Sequence, residues 1–140
     1  KKETNPKDAV GIEKVPFSTV SGRVIAEMGL GMLEGARKYG RHNYRVAGVR
    51  ASVYYDAAMR HLTSWFEGQD NDLESGLHHI VKALSCLSVL RDAINNDKCF
   101  DDRPPKEKNQ NWVRDLNLKA KEIIKKYPNS LPPYIEKKHE

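Results

Sequence analysis

Acidic, basic and histidine side chains recur at helical spacing between Glu34 and Lys82. Two strings in this segment, EGARKYGRHNY and YYDAAMRHLTSWFEGQDNDLESGLHHIVK, also carry regularly spaced apolar residues. Burying polar side chains on a core-facing helix costs free energy unless they find partners. So many of them together therefore predict a lined pocket, and residues of these types are suited to holding phosphate groups with a divalent metal ion.

The helix predicted over residues 51–67 carries three stripes of side chains. Asp56, Arg60 and Glu67 lie on a polar stripe that could hold a cation and a phosphate. His61 and Trp65 lie on another, where they could contact a phosphate and stack on a base, although packing is the commoner fate of aromatic residues at this spacing. The apolar stripe predicted to face the core consists of Tyr55, Met59, Leu62 and Phe66.

An earlier helix, capped by Ser18 or Thr19 and ending near Tyr39, places two acids on one face. Glu27 and Glu34 are two turns apart, and Lys38 follows one turn later. These carboxylates could hold a hard cation beside a lysine that meets a phosphate. An exposed Glu34–Lys38 ion pair, which contributes little to stability, explains the spacing equally well.

Three glycines interrupt this first helix, at positions 29, 31 and 35. Each costs about 1 kcal/mol relative to alanine in a helix interior. Such a cost indicates close approach of another helix or of a ligand. The competing interpretation is a helix that breaks near Gly29–Gly31.

A further helix is predicted from Asp72 to about residue 94, with Asp72, His79 and Lys82 on one face. An acid in the first turn is also explained by the helix dipole. Lys82 lies between apolar residues and is better explained by neutralisation of a bound phosphate. The residues predicted to face inward are Leu73, Leu77, Ile80, Leu84 and Leu87.

The helical spacing of apolar residues along the chain predicts an all-α protein. We expect a four-helix bundle in a single domain over residues 1–140. A flexible arm is expected at about residues 1–17, and RHNYRVAGVR is expected to be a connecting loop. The fourth helix, about residues 109–126, is followed by a proline-rich basic tail at about residues 127–140. Its predicted buried residues are Val113, Leu116, Ala120 and Ile123.

Composition excludes several classes of protein. No apolar run is long enough to span a membrane, and residues 1–20 lack the apolar region of a secretory signal. Cys86 and Cys99 show no metal-binding spacing and are expected to be free thiols in a reducing cytoplasm. No Walker loop, GxGxxG motif or His-Asp dipeptide occurs. The carboxylate-rich surroundings favour Mg²⁺ or Mn²⁺.

The strings EGARKYGRHNYR, YYDAAMRHLTSWFEG and SGLHHIVKA resemble the phage and bacterial dATP/dGTP diphosphohydrolase-type domain. Its relatives are the all-α MazG-like nucleotide pyrophosphohydrolases, including the MazZ enzymes of phages that use 2-aminoadenine in their DNA. The resemblance covers about residues 18–105. It implies hydrolysis of dGTP, dATP or both to the monophosphate and pyrophosphate, with Mg²⁺ or Mn²⁺ as cofactor.

The resemblance also implies roles for individual residues. Typical MazG proteins carry ExxE and ExxD motifs. Here the residue three positions after Glu34 is Arg37, and the residue three positions after Glu74 is Leu77, so neither motif is complete. The implied metal ligands are Glu34, Asp56 and Asp72, followed by Glu27 and Glu67. The implied catalytic residues are His61, His79 and Lys82. The implied substrate contacts are Lys38, Arg60, Asn43 and Trp65.

An alternative function uses the positive charge near the C-terminus. Residues 106–138 hold eight lysines and one arginine, whereas residues 67–74 hold four acids and no base. The basic helix and tail could serve a non-catalytic nucleic-acid-binding or phage interaction module, although nucleic acid is the less favoured partner. For the enzyme we expect a homo-oligomer, a dimer or tetramer, in the cytoplasm of the host cell and without membrane contact.

Overall fold

The computed structural model of the protein describes residues 5–138. This part of the chain is mainly helical, which confirms the all-α class, although the predicted four-helix bundle is not confirmed. It divides into two compact units, with the boundary between Arg103 and Pro104. Its helices are α1 (Pro6–Gly11), α2 (Gly22–Tyr39), α3 (Asn43–Val46), α4 (Ala51–Phe66), α5 (His79–Asn95) and α6 (Trp112–Lys126), and its short strands are β1 (Val49–Arg50) and β2 (Cys99–Phe100).

Helix α2 begins and ends close to the predicted positions. The Ser21 hydroxyl accepts a hydrogen bond from the Val24 amide at 3.4 Å and so caps the first turn. Gly40 ends the helix with a φ of 93°, a conformation that glycine adopts more readily than other residues. The helix is continuous through Gly29 and Gly31, so the alternative of a broken helix is wrong.

Gly31 lets α2 approach α5 closely. A Cβ atom on Gly31 would lie 2.1 Å from the Ser85 Oγ and 3.0 Å from the Ser85 Cβ. The Ser85 hydroxyl donates a hydrogen bond to the Met28 carbonyl across the same contact, at 3.4 Å. Close helix approach therefore explains Gly31. It does not explain Gly29 and Gly35, where an added Cβ would have no atom within 4 Å.

Helix α4 packs on α5 through a different stripe from the predicted one. Ala58 is 4% exposed, and Tyr54 packs against a small core formed by Val49, Val89 and Ala93. Because Ala58 is small, the two helices can approach closely along this face. The predicted core stripe of α4 is wrong, since all four of its side chains are exposed: Tyr55, Met59, Leu62 and Phe66.

Helix α5 begins seven residues later than predicted because a tight hairpin precedes it. The Asp72 amide donates to the Leu77 carbonyl at 2.8 Å, and the Gly76 amide donates to the Asp72 carbonyl at 2.7 Å. The His78 ring then caps α5 by accepting a hydrogen bond from the Ile80 amide. Two residues predicted to face inward are instead exposed, Leu73 and Leu87.

The predicted loop before α4 contains the short helix α3 and the two-residue strand β1. Val49 pairs with Cys99 in a parallel register, which joins β1 to β2. Gly48 is required here, because its φ is 77° and a Cβ would lie 2.6 Å from the Lys98 carbonyl oxygen. Beside this pair, Asp102 accepts a hydrogen bond from the Ser52 amide at 2.8 Å and another from the Ser52 hydroxyl. The carboxylate therefore caps the first turn of α4 from a distant part of the chain.

This cap makes the stability of the protein depend on pH in a defined direction. The Ser52 hydroxyl, helped by its amide, holds the pKa of Asp102 below its ordinary value of 3.8. The stabilisation is therefore complete above the ordinary pKa and is lost as the pH falls through the lower, folded-state pKa. We expect Asp102→Asn to lower the urea midpoint above about pH 5, and the difference from the wild type to shrink as the pH falls below 3.8.

A matched control for this prediction is Asp97→Asn. Asp97 is an exposed acid near β2 with a φ of 56°, a conformation that asparagine also tolerates. This variant changes the net charge equally and should leave the midpoint unchanged. A loss of stability in Asp102→Asn that persists undiminished at acid pH would contradict the role of the carboxylate.

The unit after Pro104 and the N-terminal segment also differ from the predictions. In α6 the residues predicted to be buried, Val113, Leu116, Ala120 and Ile123, are all exposed. The predicted flexible arm contains the short helix α1, which Asn5 caps by accepting a hydrogen bond from the Lys7 amide. Residues 1–4 of that arm lie outside the described part of the chain.

Two further predictions concern membranes and thiols. In the described range, no helix has the length and apolar character needed to cross a membrane. Cys86 and Cys99 are both free thiols, as predicted.

Candidate active site

A cavity of about 350 Å³, here called the polar cavity, is lined by the C-terminal halves of α2 and α4 and by the start of α5. The hairpin before α5 contributes Asp72 and Glu74 to its lining. Seven of the predicted site residues line it: the acids Glu34 and Asp72, the histidines His61 and His79, and the cations Lys38, Arg60 and Lys82.

Two histidines face each other in this cavity. The Nδ1 atoms of His61 and His79 are 2.9 Å apart, and His79 is 3% exposed. The Gln69 Oε1 lies 2.6 Å from the His79 Nε2 and, as an amide oxygen, accepts its N–H, so the His79 Nδ1 is the acceptor in the contact with the His61 Nδ1. Burial lowers the pKa of His61 below its ordinary value of 6.5, which favours the neutral ring that can donate a lone pair.

Asp72 approaches the two histidines from the hairpin. One oxygen of its carboxylate accepts hydrogen bonds from the Ser75 hydroxyl at 2.7 Å and the Ser75 amide at 3.2 Å. The Ser75 hydroxyl is the main reason that the pKa of Asp72 lies below its ordinary value. The hairpin therefore presents an ionised carboxylate at a fixed position.

These three side chains fit a divalent cation. One ligand atom from each of His61, Asp72 and His79 lies within 4.8 Å of the others. Two imidazole nitrogens that bind one ion at about 2.1 Å, at a right angle, are about 3 Å apart, close to the observed 2.9 Å. The donor set of two imidazoles and one carboxylate suits Mn²⁺ and other transition ions better than Mg²⁺.

Two ion pairs also line the polar cavity. Lys82 contacts Glu34 and links α5 to α2, with both side chains less than a quarter exposed. Lys38 lies 3.9 Å from Glu74 at the more exposed rim. The cavity thus combines a set of metal-binding donors with lysines that can bind an anion.

Not all predicted site residues meet here. Asp56 is exposed and lines a separate shallow groove, although Arg60 borders both. Glu27, Glu67 and Trp65 do not line the polar cavity, and Trp65 is 40% exposed. The structure therefore does not bring Glu27, Asp56 and Glu67 to the histidines as metal ligands.

Three residues of the polar cavity were not predicted: Ser64, Gln69 and Glu74. Gln69 lies between α4 and the hairpin, and its side-chain amide reaches His79. The string SGLHH contained a usable signal, because serine and glycine favour a turn over the predicted helix.

A second cavity, of about 660 Å³, lies beside the first and is here called the apolar cavity. It runs along α2 and the following loop to α4 and α5. Glu34, Lys38 and Lys82 line both cavities, and Asn43 lines the apolar one.

The fold and this site define an all-α protein with a histidine–carboxylate centre beside cationic side chains. The family model described as "dATP/dGTP diphosphohydrolase, N-terminal" matches residues 4–103, nearly the same range as the first compact unit. The chain therefore belongs to this family, as the sequence resemblance predicted.

A curated relative is the dATP/dGTP diphosphohydrolase of Salmonella phage PMBT28. The two are 34% identical over 90 residues, which is 64% of this chain and 30% of the relative. The chain thus spans less than a third of the length of that relative. No solved structure matches the chain significantly.

Proposed function

We propose that the protein hydrolyses a purine deoxynucleoside triphosphate, dGTP or dATP, to the monophosphate and pyrophosphate with a divalent metal ion. The observation that carries the proposal is the meeting of His61, Asp72 and His79 in a cavity that also holds Lys38 and Lys82. The family and the name of the phage relative support the nucleotide as substrate.

The proposed chemistry assigns each wall of the polar cavity a role. A cation held by His61, Asp72 and His79 would supply charge neutralisation and would lower the pKa of a bound water. A water oxygen forms a bond to the α-phosphorus while the bond from the α-phosphorus to the oxygen that bridges the α- and β-phosphates breaks. The electron pair of the broken bond leaves with pyrophosphate. Lys38 and Arg60 offset the charge of the phosphates.

Glu34, which the resemblance implied as a metal ligand, is not among the three grouped donors, and we propose it instead as the acceptor for the proton of the attacking water. Its carboxylate lines both cavities and pairs with Lys82. A triphosphate carries more negative charge than one carboxylate and competes for the Lys82 ammonium. Lys82 would then bind phosphate and leave Glu34 free to take up the proton.

A product assay tests the function. The protein is incubated with each deoxynucleoside triphosphate and Mn²⁺ or Mg²⁺, and the products are separated by anion-exchange chromatography. We expect dGMP or dAMP with pyrophosphate, faster with Mn²⁺, and no product after chelation. A nucleoside diphosphate with inorganic phosphate, or a nucleoside with tripolyphosphate, would indicate another phosphohydrolase. The absence of products with every nucleotide and either metal would contradict the proposal.

The basic second unit supports one other candidate function. Helix α6 and its flanks hold most of the lysines of the C-terminal part of the chain, and their side chains are exposed. Such a surface suits a nucleic-acid-binding or phage interaction module. Duplex DNA binding that weakens steeply with salt, together with no nucleotide hydrolysis, would favour this candidate.

The exposed stripe of α4 supports our proposal of a homo-oligomer. Tyr55, Met59 and Phe66 are 62%, 44% and 79% exposed along one helix face. Exposed apolar side chains in a continuous patch are typical of protein interfaces. Light scattering after gel filtration would give the mass, for which we propose a dimer or tetramer.

The phage relative supports a biological setting in the host cytoplasm. There, removal of dATP and supply of dGMP would remodel the nucleotide pool of a phage that places 2-aminoadenine in its DNA. We include this role in the proposal, with nucleotide analysis of cells that produce the protein as its measurement.

A further inference from the structure

The apolar cavity adjoins the polar cavity. Glu34, Lys38 and Lys82 line both. A molecule whose anionic end lies beside the histidines can therefore extend past these side chains into the apolar cavity. The volume of about 660 Å³ is within the range of small-molecule sites.

The lining of the apolar cavity suits a flat, partly polar group. Tyr39, Tyr44 and Tyr54 supply aromatic rings from three successive helices, α2, α3 and α4. Met32 and Val89 supply aliphatic surface. Aromatic side chains bind nucleobases by stacking, which needs no particular base.

One amide is available to read a base edge. Asn43 lines the apolar cavity at the first turn of α3, and within residues 5–138 its side chain has no hydrogen-bond partner. An amide offers both a donor and an acceptor, and so can pair with purine edges. Asn43 is thus free to contact a bound molecule without breaking an internal contact.

The glycines that packing does not explain border the same space. Gly29 and Gly35 line the apolar cavity, and a Cβ on either would have no atom within 4 Å. Alanine would be the better helix former at both positions. Their absent side chains keep the cavity open along α2.

We propose that the apolar cavity binds the nucleoside part of the substrate, with the base among the tyrosines and Asn43 at its edge. This inference rests on the proposed function and adds the location of base recognition. It places the α-phosphate where the cavities meet, beside Glu34, Lys38 and Lys82. It also replaces Trp65, which does not line the apolar cavity, as the predicted base contact.

A cavity-filling variant tests this location. Gly35→Trp places an indole beside the cavity without a clash at its Cβ. The matched control is Gly22→Trp, at the exposed first residue of α2 and outside the cavity. Two probes are titrated calorimetrically in Mn²⁺: tripolyphosphate, and the α,β-imido analogue of dGTP, which resists cleavage between the α- and β-phosphates.

We expect Gly35→Trp to weaken binding of the nucleotide analogue by about tenfold or more, because base stacking is lost. Tripolyphosphate binding should stay unchanged, since it needs only the polar cavity. Gly22→Trp should behave as the wild type with both probes. Equal nucleotide affinity in Gly35→Trp and the wild type would overturn the location, as would loss of both probes together.

A second variant tests base reading separately from affinity. Asn43→Asp keeps the size of the side chain but converts a donor and an acceptor into acceptors only. Guanine presents two donors on its Watson–Crick edge, whereas adenine presents a donor and an acceptor. We expect the ratio of kcat/KM for dGTP to that for dATP to rise by about tenfold, a ratio in which the added charge cancels.

The outcomes separate the two proposals. If the wild type hydrolyses both nucleotides and the ratio in Asn43→Asp stays within twofold, the function stands and the role of Asn43 in base reading fails. If the wild type binds the dGTP analogue no more tightly than tripolyphosphate, the base makes no contact and the apolar cavity is not its site. Absence of hydrolysis with tight, base-dependent binding would refute only the reaction.

Discussion

Replacing Asp72 with asparagine should reduce metal-dependent turnover by about 100-fold or more. Asp72 is the one carboxylate among the three grouped donors, and its pKa is held low, so the variant removes a full negative charge. Asparagine can still accept the hydrogen bonds from Ser75, and the backbone contacts of the hairpin do not involve the side chain. Turnover and Mn²⁺ affinity, from paramagnetic resonance of free Mn²⁺, are measured together with helical circular dichroism.

Asp56→Asn is the matched control for this variant. Asp56 lies on the same side of α4 as Arg60, is exposed, and is not grouped with the histidines. The change in charge is identical, so long-range electrostatic effects cancel in the comparison. Normal Mn²⁺ affinity in Asp72→Asn, or an equal loss in Asp56→Asn, would refute the assignment of the metal site.

Gly31→Val should cost about 3 kcal/mol of the free energy of unfolding. The new Cβ would overlap the Ser85 Oγ, 2.1 Å away, and would crowd the Ser85 Cβ. Rotation of Ser85 relieves only the first contact and breaks its hydrogen bond to the Met28 carbonyl. Overpacking of this kind costs about 1–3 kcal/mol, and the two γ-methyl groups of valine place the change at the upper end. Urea unfolding followed by circular dichroism measures it.

Gly29→Val provides the control in the same helix. It makes the same change in helix propensity at a position with no atom within 4 Å of the Cβ, so we expect stability close to that of the wild type. Combining Gly31→Val with Ser85→Ala should recover part of the loss, because the two side chains compete for one space. Equal destabilisation at positions 29 and 31 would show that backbone flexibility, and not the helix contact, is the cause.

The sequence predicted helices well where periodicity and end signals agreed. The boundaries of α4 were correct within one residue, and α2 was recognised with an error of only a few residues. The predicted core-facing side of α4 was wrong because two stripes of this helix could each pack against a neighbour. Large apolar residues favoured the stripe of Tyr55 and Phe66, but Ala58 decides the packing by letting α5 approach. Such a choice depends on the partner surface, which periodicity does not contain.

Candidate site residues were predictable as a set but not as a division of roles. Helical spacing led to His61, His79 and Lys82, which the structure places around one cavity. Asp72 was expected on a helix face, yet it reaches the histidines from a hairpin. Asp56 satisfied the same spacing rules and lies elsewhere. Asp72 differs from Asp56 because turn hydrogen bonds to Ser75 and Leu77 hold it in the hairpin. Helical spacing does not predict these bonds.

The contact of Asp102 with Ser52 joins residues 50 positions apart, next to the parallel pair of Val49 and Cys99. The segment between these contacts is therefore a closed loop that contains α4, the hairpin and α5. Closing a loop of that length costs chain entropy, and the local α4–α5 contacts reduce the cost by first bringing the ends together. We therefore expect the α4–α5 pair to form before the strand pair closes. Helix α2, which carries Glu34 and Lys38, can then dock on a preformed surface.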